Sequence, residues 1–314
     1  HDGAVEAEVK ESFMKDMSAT TADLLNHNYI GLKALRSYTG RANHIANLLF
    51  SWRPFLDGLW AACSSGGGKN GGKESNGKFG RRKKSRALKG TIWTKQVMNN
   101  LVWIKTFLDE VHGPLKRSWT LEAFQEAANV ITMVLDASPW GLGGVLFIND
   151  VVVAYFSTPL TKEDERIHHQ TRGSADGQQV WECLVVLVAL RLWQQHWLTK
   201  KASITLRSDN ISALTMASKL KVASTSNLIG REIAFLYCKA SFEPRVVEHV
   251  PGIANTLADD LSRLWDENLA HEVPPVLQNI TPTPVPRRAR AYYHTLAAVQ
   301  VGRTRPVRKR RPKQ

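Results

Sequence analysis

The spacing of apolar residues divides the chain into a helical first part and a mixed second part. Over residues 32–50, apolar side chains recur at nearly helical intervals. Residues 94–113 show the same period, with Trp103 and Phe107 four positions apart on one face. Residues 64–90, by contrast, are mainly Gly, Ser, Asn and Lys and cannot bury enough apolar surface to fold. The pattern predicts a mostly helical segment at 1–63, a flexible linker at 64–90 and a second helical segment at 91–128.

The pattern changes near residue 129. Runs rich in β-branched residues, which are typical of strands, begin there, and Asn149-Asp150 is a turn pair between two of them. Residues 177–197 are long and apolar enough for a buried helix, and three further helices are predicted after it. The order β-β-β-α-β-α-α-β-α over residues 129–265 predicts one mixed α/β domain, in which a hairpin meander is followed by crossover connections.

From residue 266 the chain becomes rich in proline and then in arginine. Such a composition lacks the apolar residues needed for a core, so the pattern predicts a disordered tail at 266–314. Within this tail, residues 291–300 are expected to form a short helix on binding.

The formal net charge of +14 is concentrated in two arms. The first arm holds Lys69, Lys73, Lys78, Arg81, Arg82, Lys83, Lys84, Arg86, Lys89 and Lys95. The second holds Arg287, Arg288, Arg290, Arg303, Arg305, Arg308, Lys309, Arg310, Arg311 and Lys313. Such arms are typical of contact with nucleic-acid phosphates without sequence readout. A nuclear-import signal and a solubilising tail are the alternatives.

The longest apolar run, at 183–190, is too short to span a bilayer, and no N-terminal stretch resembles a signal peptide. The three cysteines lie far apart without the spacing of a zinc site or a disulfide framework. These features predict a protein without membrane contact, intracellular and either nuclear or cytoplasmic. Because the sequence begins at His1 rather than Met, we also expect a fragment or a processed piece.

Four carboxylates are the candidate chemistry. Asp136 and Asp209 each end a predicted strand, and the carboxyl edge of such a sheet is where α/β proteins build their sites. Glu182 lies in an otherwise apolar helix, where a charge is costly unless it is paired, solvated or bound to a metal. Asp259 lies near the start of the last helix. Converging carboxylates repel one another unless cations neutralise them, and hard oxygen ligands favour Mg²⁺ or Mn²⁺. Two such ions can hold the attacking and leaving oxygens of a phosphodiester.

Taken singly, each of these residues has an ordinary explanation. Asp136 is compatible with a turn former and Asp209 with a helix N-cap. Glu182 is compatible with a charge on a helix surface, and Asp259 with a charge that offsets the helix dipole. Their joint placement favours a site.

The motifs around these carboxylates resemble the ribonuclease H domain of retroelement reverse transcriptases. They are, in chain order, D136-A-S…G-G-V-L, E182-x-L-x-x-L-x-A-L, S-D209-N and H249-x-P-G-x-x-N255-x-x-A-D259-x-L-S-R. The resemblance covers roughly 129–265. It implies a ribonuclease H-like fold with a mixed five-stranded sheet flanked by helices. More weakly, 29–60 and 91–128 resemble the thumb and connection segments that precede this domain in DIRS-like or Ty3-like elements.

The resemblance implies a metal-dependent endonuclease that cleaves the RNA strand of RNA–DNA hybrids. Asp136, Glu182, Asp209 and Asp259 would hold two Mg²⁺ or Mn²⁺ ions, and His249 would assist proton transfer or product release. Asp259 rather than Asp260 matches the motif, and one residue along a helix turns a side chain by about 100°. Three assignments have alternatives. Glu163 and Glu165 are the alternatives to Glu182 as a ligand. Asn255 is predicted to be a helix-start cap rather than a ligand, and His168 and His169 are predicted to be loop residues rather than metal ligands.

The sequence departs from a complete reverse transcriptase because it has no Tyr-x-Asp-Asp motif. The expectation is therefore the C-terminal part of a retroelement polyprotein without the polymerase palm, for which the polymerase part is a candidate partner. A catalytically idle nucleic-acid-binding remnant is the alternative, and a resolvase or integrase is a third. Trp140, Trp193 and Trp197 are predicted to be core or rim aromatics rather than base-stacking platforms.

Overall fold

The structure is a computed structural model and describes most of the chain. The described residues are 4–49, 52–65, 90–109, 116–120, 129–198, 202–221, 224–239, 246–268, 270–294 and 296. The predicted linker is therefore outside the described residues except at its two ends, and so is the last part of the basic tail. Among the helices of the described ranges, none combines the length and the apolar character needed to cross a membrane.

The first part of the chain is mostly helical. Its helices are α1 (Glu11–Asn26), α2 (Leu32–Leu48), α3 (Arg53–Ser65) and α4 (Met98–Leu108). Two small antiparallel sheets accompany them: β1 (Ala4–Glu8) pairs with β4 (Lys116–Thr120), and β2 (Tyr29–Gly31) with β3 (Thr91–Trp93). These four strands were not predicted, because each is only three to five residues long and its partner is distant in sequence.

The second part is built on one five-stranded sheet. Its strands are β5 (Asn129–Ala137), β6 (Gly141–Ile148), β7 (Val151–Pro159), β8 (Ala202–Ser208) and β9 (Val246–His249), in the spatial order β7-β6-β5-β8-β9. The pairs β5–β6 and β6–β7 are antiparallel, whereas β5–β8 and β8–β9 are parallel. At the β6–β7 turn, Asn149 and Asp150 both have positive φ, as a two-residue hairpin turn requires.

Helices flank this sheet, which confirms the predicted α/β class with a mixed five-stranded sheet. They are α5 (Lys162–His168), α6 (Gln178–Leu192), α7 (Ile211–Lys219), α8 (Asn227–Lys239) and α9 (Thr256–Arg263). Every residue of α6 from Val180 to Leu190 is buried, so this helix is central to the core. Trp193 and Trp197 are also buried and are core residues, as predicted. His168 was predicted in a loop but ends α5, and its ring is buried.

An aromatic cluster joins the helical first part to α8. The ring of Phe235 lies 4.8 Å from that of Trp103, 5.2 Å from that of Phe107 and 5.6 Å from that of Phe55, measured between centroids. Such pairs add to the free energy gained from burial alone. The helical segment and the five-stranded domain therefore share one continuous core.

The prediction of disorder after residue 266 is wrong for residues 270–294, here named the C-terminal strap. Leu277 and Tyr293 of the strap are fully buried, and the backbone carbonyl of Tyr155 in β7 accepts a 2.8 Å hydrogen bond from the amide of Thr283. The strap has almost no regular structure, so its proline-rich sequence gives no periodic signal. Its order comes from a few anchoring side chains that contact a distant part of the chain.

The principal anchor of the strap is Arg288. Its guanidinium is buried and donates to both carboxylate oxygens of Asp164 at 2.9 and 2.8 Å. It also donates to the Thr158 hydroxyl at 3.1 Å and to the Pro159 carbonyl at 2.6 Å. Arg288 was predicted to belong to a nucleic-acid-binding arm, but it is committed to this buried ion pair.

Candidate metal centre

Three of the predicted ligands meet at one edge of the sheet. Asp136 and Asp209 stand at the carboxyl ends of the adjacent parallel strands β5 and β8, and Glu182 comes from the second turn of α6. Each offers one carboxylate oxygen, and these oxygens all lie within 4.8 Å of one another. We name Asp136, Glu182 and Asp209 the carboxylate cluster.

Asp136 is buried and held by two side chains of the last helical segment. The Ser262 hydroxyl donates to its Oδ2 at 2.7 Å, and the Asn255 amide donates to its Oδ1 at 3.3 Å. Neither residue was predicted to have this role. Ser262 lies three residues after Asp259, on the same face of α9. The sequence signals for it were this spacing and its position in the D259-x-L-S-R part of the motif.

Asn255 was predicted to be a helix-start cap, and the structure gives it another role. It occupies the cap position of α9, but its side chain makes no capping hydrogen bond. Its amide group instead donates to the carbonyl of Leu135 at 3.1 Å as well as to Asp136. Asn255 therefore ties the start of α9 to the end of β5.

Glu182 is buried near the start of α6, with its two oxygens in different surroundings. Oε1 accepts a 2.8 Å hydrogen bond from the Gln178 amide, which also donates to the Ala137 carbonyl. Oε2 is buried and has no hydrogen-bond partner among the described residues. A buried carboxylate oxygen without a donor is costly. A divalent cation bound by the cluster would satisfy it, and the all-oxygen donor set suits a hard cation such as Mg²⁺ or Mn²⁺.

The alternatives to Glu182 are engaged elsewhere. Glu163 forms ion pairs with Arg166 and Arg287 at 3.1 and 3.0 Å. Glu165 accepts a hydrogen bond from the backbone amide of Arg172 at 2.8 Å. Neither belongs to the carboxylate cluster, whereas Glu182 does.

Asp209 is the exposed member of the cluster. The alternative role of a helix cap is filled by its neighbour, since Asn210 Oδ1 accepts from the amide of Ala213 at 3.0 Å. The cap therefore does not depend on Asp209, whose carboxylate faces the other two.

Asp259, the fourth predicted ligand, is not one of the three clustered residues. Its Oδ1 accepts a 2.7 Å hydrogen bond from Arg263, one turn further along α9. It is still close enough for its charge to raise the pKa of Asp136. Its role as a ligand stays a prediction.

His249, the predicted assisting residue, is the last residue of β9 and is exposed. It is the register partner of Ser208, directly before Asp209, and the next amide, that of Val250, donates to the Ser208 carbonyl at 3.0 Å. The strand pairing thus places His249 at the same sheet edge as the carboxylate cluster.

The carboxylate cluster is electrostatically strained without a cation. The pKa of Asp136 is raised to about 7, mainly by burial and further by the nearby charges of Asp259 and Asp209, against the opposing hydrogen bond from Ser262. Burial, and after it the charge of Asp136, raises the pKa of Glu182 well above the ordinary value. Both groups favour protonation unless a positive charge replaces the proton.

We expect the metal-free protein to lose stability as the pH rises from about 4 to 7. The folded pKa of Asp136 is raised, so between about pH 4 and 7 the folded state binds more protons than the unfolded state, and the free energy of unfolding falls with rising pH. The expected contribution is about 2 to 4 kcal/mol. Urea unfolding in EDTA, with Asp136→Asn as the comparison, measures it. An equal pH dependence in the native chain and the variant would contradict the assignment to Asp136.

Comparison with known proteins gives likenesses of fold only. No protein-family model matches the chain, and no curated protein matches it either. Among solved structures, RNase H1 from the halophilic archaeon Halobacterium salinarum NRC-1 is 15% identical with a TM-score of 0.30, and LC11-RNase H1 isolated from compost is 16% identical with a TM-score of 0.34. In both comparisons, 46% of this chain aligns with the full length of the other chain.

A longer likeness is to the foamy viral protease–reverse transcriptase in complex with an RNA/DNA hybrid. It is 18% identical with a TM-score of 0.25 and involves 86% of this chain but only 30% of the viral one. Since all these TM-scores are low, the case for a function rests on the carboxylate cluster itself.

Proposed function

We propose that the chain is a metal-dependent endonuclease that cleaves the RNA strand of RNA–DNA hybrids. The observation that carries this proposal is the convergence of Asp136, Glu182 and Asp209, from β5, α6 and β8. One buried oxygen of Glu182 has no hydrogen-bond partner within the part of the chain that the structure describes. The motif H249-x-P-G-x-x-N255-x-x-A-D259, which distinguishes the ribonuclease H resemblance from a resolvase or integrase, adds support.

Asp136, Glu182 and Asp209 would hold the cations, and Asp259 would complete the set for two Mg²⁺ or Mn²⁺ ions. Bound divalent cations supply an activated water and stabilise the charge that develops on the phosphate oxygens. The protein's own residues orient the ligands: Ser262 and Asn255 hold the Asp136 carboxylate, and Gln178 holds that of Glu182. His249, exposed at the same edge, would exchange a proton with the leaving 3′-oxygen or aid product release.

The proposed substrate is recognised by its shape. Hybrids are read through their backbone and the 2′-hydroxyls of the RNA strand, without base specificity. The basic residues at 69–95 and 303–313 would add salt-dependent affinity for phosphates. Within this proposal the chain is the C-terminal part of a retroelement polyprotein, DIRS-like or Ty3-like, and the polymerase part of that element is a partner.

One observation favours a second candidate, a catalytically idle nucleic-acid-binding remnant. Asp259 is paired with Arg263 rather than clustered with the other three carboxylates. A chain that binds hybrids but cannot complete its ligand set would have this arrangement.

Cleavage of a hybrid labelled on its RNA strand tests the proposed function. In Mg²⁺ the full chain is expected to cut the RNA strand of the hybrid, to leave the DNA strand and duplex DNA intact, and to lose this activity in EDTA. A folded chain that binds the hybrid in Mg²⁺ or Mn²⁺ without cutting it would contradict the endonuclease and support the idle remnant.

A further inference from the structure

The loop between β9 and α9 presents an unusual side chain beside the carboxylate cluster. Residues Gly252–Ala254 form a single 3₁₀ turn, and Ile253 at its centre is 93% exposed. It is the most exposed large apolar side chain in the part of the chain that the structure describes. The second most exposed is Ile211 at 66%, two residues after Asp209. Single exposed apolar residues are common on protein surfaces, so exposure alone does not indicate a binding role.

The loop that carries Ile253 lies against Asp209. A Cβ added at Gly252 would stand 3.4 Å from Asp209 Oδ2, so the residue directly before Ile253 is in contact range of the cluster. A phosphate bound at the cluster would therefore place its neighbouring sugars close to the tip of this loop.

The loop is also tied down at both ends. On one side the Val250 amide donates to the Ser208 carbonyl at 3.0 Å. On the other, the side chain of Asn255 is bonded to the end of β5. Within the turn, the Ala254 amide donates to the Pro251 carbonyl at 2.7 Å. A loop whose backbone is held in one position loses little further backbone freedom when a ligand covers it.

We propose that Ile253 is a substrate-binding residue that packs against the carbon face of a sugar in the minor groove of the hybrid, beside the scissile phosphate. The minor groove of an A-like duplex is wide and shallow and displays the sugars, so a short apolar tip reaches them without unstacking bases. This inference rests on the proposed function. It adds a contact that requires no charge and no base identity, which suits a substrate read by shape.

The test compares Ile253→Ser and Ile253→Leu with the native full chain. Ile253 is almost fully exposed, so neither substitution disturbs the core. The matched control is Val151→Ser, since Val151 is 63% exposed and lies at the β6–β7 turn, which pairs with the start of β5 and not with its catalytic end. Two quantities are measured at about 0.3 M salt, where phosphate contacts by basic arms are weakened: KM and kcat for hybrid cleavage in Mg²⁺, and Kd for the hybrid in EDTA by fluorescence anisotropy.

The expected result for Ile253→Ser is a rise of about 5–10-fold in both KM and Kd, with kcat within about twofold of the native value, because a contact made equally in the ground and transition states is lost. Ile253→Leu should return both to within about twofold of the native values, since an apolar side chain of the same size is retained. Unchanged KM and Kd in Ile253→Ser, or an equal rise in Val151→Ser, would overturn the inference. If the native chain does not cleave, the proposed function fails, and the Kd comparison alone then decides whether Ile253 contacts the hybrid.

Discussion

Replacing Asp209 with asparagine is expected to lower the rate of RNA-strand cleavage by at least about 100-fold. The substitution removes the negative charge that the exposed member of the carboxylate cluster would offer to a cation, while its size and shape are kept. Because Asn210 rather than Asp209 caps α7, the fold should be unaffected. Single-turnover cleavage of the labelled hybrid in Mg²⁺ measures the rate, and the urea-unfolding midpoint checks the fold.

Asp260→Asn is the matched control for this substitution. It removes the same charge from the neighbour of Asp259, at a position outside the carboxylate cluster. Its cleavage rate should stay within about threefold of the native rate, since a change in remote charge alters long-range attraction only modestly. If the two variants lost activity equally, net charge rather than ligation would be the cause.

Replacing Arg288 with alanine is expected to lower the free energy of unfolding by about 3 to 5 kcal/mol. The guanidinium is buried and donates to Asp164, Thr158 and Pro159. Its removal leaves a buried, uncompensated Asp164 carboxylate, and that desolvated charge accounts for most of the cost. Urea unfolding at pH 7, followed by tryptophan fluorescence, measures the change.

The neighbouring residue supplies the control. Arg287 also pairs with a carboxylate, that of Glu163 at 3.0 Å, but its side chain is exposed. Arg287→Ala should therefore cost less than about 1 kcal/mol. Similar losses for the two variants would show that the C-terminal strap is not anchored by the buried pair. Unfolding of Arg288→Ala would by itself abolish cleavage. Cleavage rates are therefore compared only without denaturant, under conditions in which the variant is folded.

The local order of strands and helices could be predicted from the sequence. Before residue 129 the apolar residues recur at helical intervals, and after it runs of β-branched residues indicate strands. The Asn149-Asp150 pair marks the hairpin turn. These signals could be read because they arise from neighbouring residues. The short strands β1 to β4 could not be predicted, since each pairs with a strand far away in the sequence. For β1 and β4 the separation exceeds a hundred residues. The order of the C-terminal strap could not be predicted for the same reason, because its anchoring contact joins Arg288 to Asp164, 124 positions away.

The candidate site, like the fold, could be predicted only in part from the sequence. Strand-end placement and the motif spacing predicted Asp136, Glu182 and Asp209, which the fold brings together at one sheet edge. The roles of Asn255, Ser262 and Gln178 as holders of these carboxylates were not predicted. Each of these side chains is equally suited to capping, surface exposure or hydrogen bonding until the packing is known.

By itself the sequence determined the periodicities, and with them the fold class and the carboxylates that end the central strands. These properties follow from local chemistry, which a short window of residues contains. The tertiary structure alone decided which oxygen of Glu182 has no hydrogen-bond partner among the described residues, that Asp259 pairs with Arg263, and that a proline-rich segment is ordered. Burial and hydrogen bonding between distant segments set these properties, and they exist only once the chain has folded.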